Sequence, residues 1–178
     1  MEIRVATEDD AETILDIYGP IVRDTAISFE AEAPTVDEMR RRIRETLRTH
    51  PWLVAEMNGD LLGYGYAHRF HGRTAYRWSV EASMYVRADA RARGVGTAIG
   101  RAMTKILLRQ NVVNVFGGTT LPNPASERIF RANGFELVGV WKKVGYKLGR
   151  WHDVAWYARR IADPPGEPPE FIPFSRLG

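Results

Sequence analysis

The chain has 178 residues, 44% hydrophobic and 26% charged with a formal net charge of +3, which suits one domain with a proper core and is short for two. It contains no cysteine, so a disulfide framework, a thiolate metal site and a cysteine nucleophile are all excluded. No apolar run approaches the length that spans a bilayer, and the opening Met1-Glu2-Ile3-Arg4 has no signal-peptide character, so a soluble cytoplasmic protein is expected.

Ile3-Arg4-Val5 alternates like a short strand. Thr7 can cap a helix beginning near Asp9, with Ile14, Leu15, Ile17 and Tyr18 at helical spacing and Pro20 near its end. Thr35 through Leu47 reads as a second helix, with Thr35 as N-cap, Glu38 completing a capping box, and Met39, Ile43 and Leu47 on one face. Its Arg40, Arg41, Arg42 and Arg44 read as a solvated face. Pro51 to Glu56, then Asn58-Gly59-Asp60, then Leu61 to Tyr66 reads as a hairpin, because Asn-Gly adopts the positive φ angles that a tight two-residue turn demands.

Tyr76 to Val86 alternates again as a central strand and runs into a glycine-rich loop. Helical spacing from Gly96 to Gln110 (Ile99, Met103, Ile106, Leu107) follows, then a strand from Val112 to Gly117. Ala125 to Asn133 reads as a helix ended by Gly134, and Phe135 to Tyr146 and Val154 to Arg159 as the last strands. The order predicts an α/β domain with a mixed central sheet over residues 1–162. Five prolines between Pro164 and Ser175 give the tail, residues 163–178, an extended course over the surface. The basic residues are not interleaved with exposed aromatics in a recognisable module, so no nucleic-acid partner is expected.

A strand entering a glycine turn and then a helix presents unpaired backbone N–H groups and the positive end of a helix dipole, which suit a phosphate or pyrophosphate. Gly94 and Gly96 let the backbone approach such a ligand closely, and Arg91 and Arg93 add charge at the mouth. The same residues also suit a tight structural turn. A nucleoside-triphosphate loop needs Gly-Lys-Ser/Thr where this loop ends Gly96-Thr97-Ala98, and the dinucleotide fingerprint needs a third glycine where Ile99 stands, Gly100 falling one residue late.

Four motifs in order carry a resemblance. Arg91-x-x-Gly94-x-Gly96 after Ser83-Met84-Tyr85-Val86 resembles the coenzyme A loop of the GNAT acetyltransferases. The segment Tyr76 to Val86, the segment Leu121-Pro122-Asn123-Pro124-Ala125-Ser126-Glu127-Arg128 and the segment Gly149-Arg150-Trp151-His152-Asp153-Val154 are similar to those of phosphinothricin and methionine sulfoximine N-acetyltransferases. The resemblance covers nearly the whole chain. It implies the GNAT fold, an α/β (α+β) domain whose mixed, mostly antiparallel central sheet is flanked by helices and whose splayed strands hold the cofactor. It also implies acetyl-CoA as co-substrate, no metal, no membrane partner and a homodimer.

For the site, the resemblance implies that the pantetheine arm bonds the backbone of Met84, Tyr85 and Val86, and that the pyrophosphate lies on Arg91, Ala92, Arg93, Gly94, Val95, Gly96 and Thr97. Asn123, with Ser126 one turn on, is implied to bond the cofactor arm; a plain helix cap is the other reading. Glu81 matches the family's general base, needed because an ammonium has no lone pair with which to attack a thioester. Its other reading is a structural carboxylate paired with an arginine. Backbone N–H groups near Tyr85 suit a developing oxyanion.

Phe29, Arg73 and Tyr76 align with the acceptor pocket, where a guanidinium suits an anionic side chain; Arg73 also reads as a surface arginine, and His71 as simply exposed. This chain departs from the family at Phe130, where His or Tyr is common, because a phenyl ring cannot protonate a leaving thiolate. Either Tyr85, Tyr146 or water serves as donor, or the leaving thiolate needs none. His152-Asp153 has no third ligand or nucleophile nearby and reads as a structural hydrogen bond, and Trp151 and Trp156 as packing residues. The implied reaction is acetylation of the α-amine of a small amino acid such as phosphinothricin, methionine sulfoximine or methionine sulfone. Alternatives are acetylation of a protein or peptide N-terminus and a non-catalytic acyl-CoA sensor.

Overall fold

In the computed structural model, which describes residues 1–178, Trp52, Leu53, Val54 and Ala55 are consecutive and all buried. Successive strand side chains point to opposite faces, so both faces of this strand are covered. Trp52 and Val54 join a core with the first two helices, and Leu53 and Ala55 join cores with the third. The elements are β1 (Glu2–Val5), α1 (Ala11–Asp24), α2 (Val36–Leu47), β2 (Trp52–Met57), β3 (Asp60–Arg69), β4 (Ser79–Val86), α3 (Val95–Arg109), β5 (Asn114–Thr120), α4 (Pro124–Ala132), β6 (Glu136–Lys147) and β7 (Arg150–Arg160). One seven-stranded sheet runs in the order β1-β2-β3-β4-β5-β7-β6, antiparallel except between β4 and β5. Helices α1 and α2 cover one face, α3 and α4 the other. No helix is long and apolar enough to cross a membrane.

Local chemistry fixes several boundaries. Asn58 and Gly59 take φ of 56° and 85° and close the β2–β3 hairpin. Thr35 caps α2 by accepting from Glu38 N–H at 3.2 Å. The capping box is only half made, because the Glu38 carboxylate turns outward to Arg41 and Arg42. The arginine-rich face of α2 is laced with ion pairs, Arg42 reaching Glu30 and Arg44 reaching Glu8.

Other boundaries move. A short 3₁₀ turn, Glu8–Asp10, precedes α1, where Asp10 accepts from Thr7 N–H at 2.7 Å, so the α-helix starts at Ala11 rather than Asp9. Pro20 lies inside α1 rather than at its end. It is exposed, as is Asp16, whose carbonyl lacks the helical donor because Pro20 has no N–H, while Ile17, Tyr18, Ile21 and Val22 bury on either side of the break. Strand β4 starts at Ser79 rather than Tyr76, because Thr74–Tyr76 forms a 3₁₀ turn whose aromatic ring meets Phe70 and His71. The tail crosses the sheet end in extended form as far as Pro173 and then closes in a 3₁₀ turn, Phe174–Arg176. Ile172 N–H donates to Gln110 O and Phe174 N–H to Thr49 O, and Trp78 Nε1 donates to Pro169 O at 2.7 Å.

Candidate active site

Strands β4 and β5 pair only from Ser79–Asn114 to Glu81–Phe116. Beyond that point β4 stays bonded to β3 as far as Val86, and β5 to β7 as far as Thr120. The two strands therefore part, leaving backbone N–H and C=O groups of β4 facing an open wedge. The wedge is a cleft lined by Ser83, Met84, Tyr85, Ser126, Ile129 and Phe130 among others. Ile27, from the connection between α1 and α2, also lines it, so the cleft reaches through the sheet from the α3–α4 face to the opposite one.

The glycine loop stands at one end of this wedge. Ala92 and Gly94 take φ of 61° and 79°, and Gly94 is the N-cap of α3 with no side chain to cap it, so the first-turn N–H groups remain open. A Cβ on Gly96 would meet Met84 Sδ at 3.1 Å and Ile129 Cδ1 at 3.2 Å, which is why the helix lies so close to the cleft wall. Val95 buries its side chain in the core and offers only backbone. Arg91 and Arg93 are exposed and form no ion pair, whereas Arg87 is held by Asp89 at 2.6 Å. Gly100 belongs to packing: a Cβ there would collide with the Asn133 side chain.

Asn123 is buried at the N-cap of α4. Its Oδ1 accepts from Ser126 N–H at 3.1 Å, while its Nδ2 is buried with no hydrogen-bond partner in the protein. A buried donor without a partner is costly. The cap reading and the ligand reading thus use different atoms of one side chain. Open first-turn N–H groups, a glycine cradle, unpaired cations and an orphan amide donor fit a coenzyme A molecule lying along the wedge.

Glu81 is the last β4 residue paired to β5 and sits at the apex of the wedge. No arginine pairs with it; its charged neighbour is His68, whose Nε2 is 4.0 Å from Oε2. On the same face, Tyr18, Tyr64, Tyr66 and Tyr85 cluster with ring separations of 5.0 Å for Tyr18–Tyr85 and 5.3 Å for Tyr64–Tyr85. Burial pushes the Tyr18 phenol up to about 12 and the Tyr85 phenol well above its usual value, so both stay neutral proton donors. Tyr146 is excluded from this role: it is exposed on the edge strand β6 against Trp151. Phe130 stacks on Tyr157 at 4.4 Å and faces Gly117 across the cleft wall.

The three residues expected at the acceptor pocket, Phe29, Arg73 and Tyr76, do not form one cluster. Phe29 lies over Gly145 of β6, 6.2 Å from the His152 ring, on the side of the cleft that Ile27 opens. Tyr76 packs edge-on to Phe70, which stacks on Phe116 at 4.2 Å beside Glu81. Arg73 is exposed, and no hydrogen bond or ring contact joins it to Phe29. His71 is exposed against Phe70 and Tyr76. His152 bonds Lys147 O and Asp153 accepts from Lys143 N–H, both structural, and no cluster of metal-ligating side chains exists.

Sequence reading alone missed two groups. Lys147 Nζ donates to Val22 O at 2.6 Å and Ser28 O at 2.7 Å, pinning the β6–β7 hairpin to the loop that carries Phe29. His68 stands opposite Glu81 across the β3–β4 ladder. Period-2 counting along β3 places His68 on the Tyr64 and Tyr66 face, but only the pairing register brings it to Glu81.

Residues 3–156 match the family model described as an acetyltransferase (GNAT) domain. The chain is 39% identical over 168 residues to the phosphinothricin N-acetyltransferase of Alcaligenes faecalis, an alignment covering 89% of this chain and 82% of that one. It is 33% identical over 158 residues to the L-methionine sulfoximine/L-methionine sulfone acetyltransferase of Pseudomonas aeruginosa, covering 86% and 91% of the two chains. The crystal structure of a GNAT superfamily phosphinothricin acetyltransferase from Sinorhizobium meliloti in complex with AcCoA superposes with a TM-score of 0.90 at 31% identity, covering 99% of this chain and 98% of that one.

Proposed function

The chain belongs to the GNAT acetyltransferase family and is an acetyl-CoA-dependent acyltransferase, and on that premise we propose that its acceptor is the α-amine of a small amino acid. Phosphinothricin, methionine sulfoximine and methionine sulfone are the candidate acceptors. The reading has residues 1–162 as the catalytic domain, 163–178 as a strap across the sheet end, and a homodimer working in the cytoplasm. Relatives named for these amino acids support the substrate class.

The observation that carries the mechanism is the position of Glu81 where β4 and β5 part. Acetyl-CoA supplies the acyl group as a thioester in the wedge. The acceptor enters past Ile27 and Phe29, and the Glu81 carboxylate takes the proton from its nitrogen. The freed lone pair attacks the thioester carbonyl, a C–N bond forms, and the C–S bond breaks with its electron pair leaving on sulfur; the second proton that the nitrogen sheds as the amide forms replaces the one the thiolate takes up, so one proton per turnover stays with Glu81. Open N–H groups of β4 near Tyr85 face the carbonyl oxygen as its charge grows. Phe130 donates nothing. The neutral phenol of Tyr85, which lines the cleft, is the one side-chain donor left of those considered.

For the assembly, β6 is an edge strand exposing Leu137, Val138, Val140, Trp141, Val144 and Tyr146. An apolar face of this kind on a sheet edge is suited to burial against a second copy.

Thiol release from acetyl-CoA, measured with the three candidate acceptors and with peptide N-termini, tests the reading. Turnover on the amino acids, reduced about a hundredfold or more by Glu81→Gln, is expected. Turnover on peptides alone would replace the acceptor, and acetyl-CoA binding without any thiol release would leave a sensor in place of an enzyme.

A further inference from the structure

A base that collects one proton per turnover must lose it again before the next. We propose that His68 is the relay that carries this proton from Glu81 to solvent, an inference that rests on Glu81 being the base. The two residues are directly paired across β3 and β4, with Nε2 of His68 4.0 Å from Oε2 of Glu81. The other ring nitrogen, Nδ1, is 3.1 Å from Arg69 O. A carbonyl only accepts, so Nδ1 carries the hydrogen and the lone pair of the neutral ring lies at Nε2, facing the carboxylate. The ring is also held on its flank by Tyr66 at 6.0 Å.

The path onward is built as well. The His68 side chain is 43% exposed against 26% for Glu81, so the imidazole reaches farther into water than the carboxylate does. It lines a second cavity, on the α2 side of β3, together with Tyr66, Trp52, Arg42, Glu45 and Thr46. Arg42 and Glu45 are partly solvated there, which opens that cavity to the surface.

The balance is simple. The amine proton goes to the Glu81 carboxylate, the resulting carboxylic acid gives it to Nε2, and the imidazolium releases it to water, restoring both groups. The 4.0 Å gap is beyond direct hydrogen-bond reach and is spanned by one water or a turn of the carboxylate. Imidazole accepts and releases a proton near neutrality better than any other side chain.

The test compares wild type, His68→Ala, His68→Gln and Glu81→Gln in the full chain, with methionine sulfone as acceptor and thiol release as readout, at low and high buffer concentration and with added imidazole. Wild-type kcat is expected to be independent of buffer. Both His68 variants should lose about tenfold or more in kcat at low buffer, less than the roughly 10²–10⁴-fold that a general base supplies in the transition state because the relay acts after the chemical step, with KM for the amine unchanged. Imidazole should restore His68→Ala, and high buffer should restore both. Wild-type kcat in both variants at low buffer overturns the relay, and so does a loss that neither imidazole nor buffer repairs, whether from misfolding or from a packing role. If Glu81→Gln is inactive while the His68 variants are normal, the base stands and the relay falls. If Glu81→Gln keeps full activity, or wild type releases no thiol, both fall.

Discussion

Replacing Asn123 with alanine removes two functions that act in opposite directions on the free protein. Its Oδ1 accepts from Ser126 N–H at 3.1 Å, a helix cap worth about 1 kcal/mol. Its Nδ2 is buried without a partner, and a buried unmade donor costs about 1–3 kcal/mol. The two offset each other, so the free variant should unfold near the wild-type temperature or slightly above it. Binding changes the balance. If coenzyme A accepts from Nδ2, wild type recovers the same ~1–3 kcal/mol on binding, and the variant does not. At 1.4 kcal/mol per tenfold, Asn123→Ala should bind acetyl-CoA about 5- to 150-fold more weakly by calorimetry. Asn123→Asp keeps an acceptor for Ser126 N–H and loses the donor, so it separates the atoms: intact stability, weakened binding. Wild-type affinity in Asn123→Ala would refute the reasoning. So would a fall in free-protein stability that matches the loss of affinity, because the residue would then be a cap and nothing more.

Three further outcomes follow from the structure. Gly117→Ala places a Cβ 2.7 Å from Phe130 Cε1 and 3.2 Å from Ala82 O, so overpacking should lower stability by about 1–3 kcal/mol in thermal unfolding, with partial recovery on adding Phe130→Leu. Burial, with the nearby positive charges of His68 and Arg69, pushes His50 down from 6.5 to about 4. Below the unfolded value the denatured chain takes up a proton that the native state refuses, so stability should fall by about 3 kcal/mol as pH drops from about 6.5 to about 4. Urea unfolding of His50→Phe should lack that slope; an identical slope would assign it elsewhere. Val138→Asp with Trp141→Glu should convert a dimeric wild type to monomer by sedimentation, and a wild type that is already monomeric would refute the pairing face.

Much of this molecule is written in short stretches of chain. The Asn58-Gly59 turn, the Thr35 cap, the Gly134 stop and the apolar spacing of α3 depend on φ/ψ preferences and on neighbours within a few residues, and they stand where the chain chemistry puts them. The same locality explains the misplacements. Pro20 ends a helix only if its missing bond is costlier than the burial on either side, and that burial comes from β-strands the helix cannot anticipate. The alternation from Tyr76 is genuine, yet the rings of Phe70 and His71 capture it into a 3₁₀ turn.

The site divides along the same line. Its backbone parts, the glycine loop and the α4 cap, were legible because a positive φ and a capping side chain are local properties. Strand pairing is not local. Whether β5 lies beside β4, where the two part, and which residue stands at the apex depend on how the helices and strands fill both faces of the sheet. Sequence determined that this chain carries a carboxylate at position 81 and an imidazole at position 68. Only the β3–β4 register, which brings together residues thirteen apart, decided that the two face each other. Only the early end of the β4–β5 pairing, after three residues, decided that they do so at the apex of a cleft.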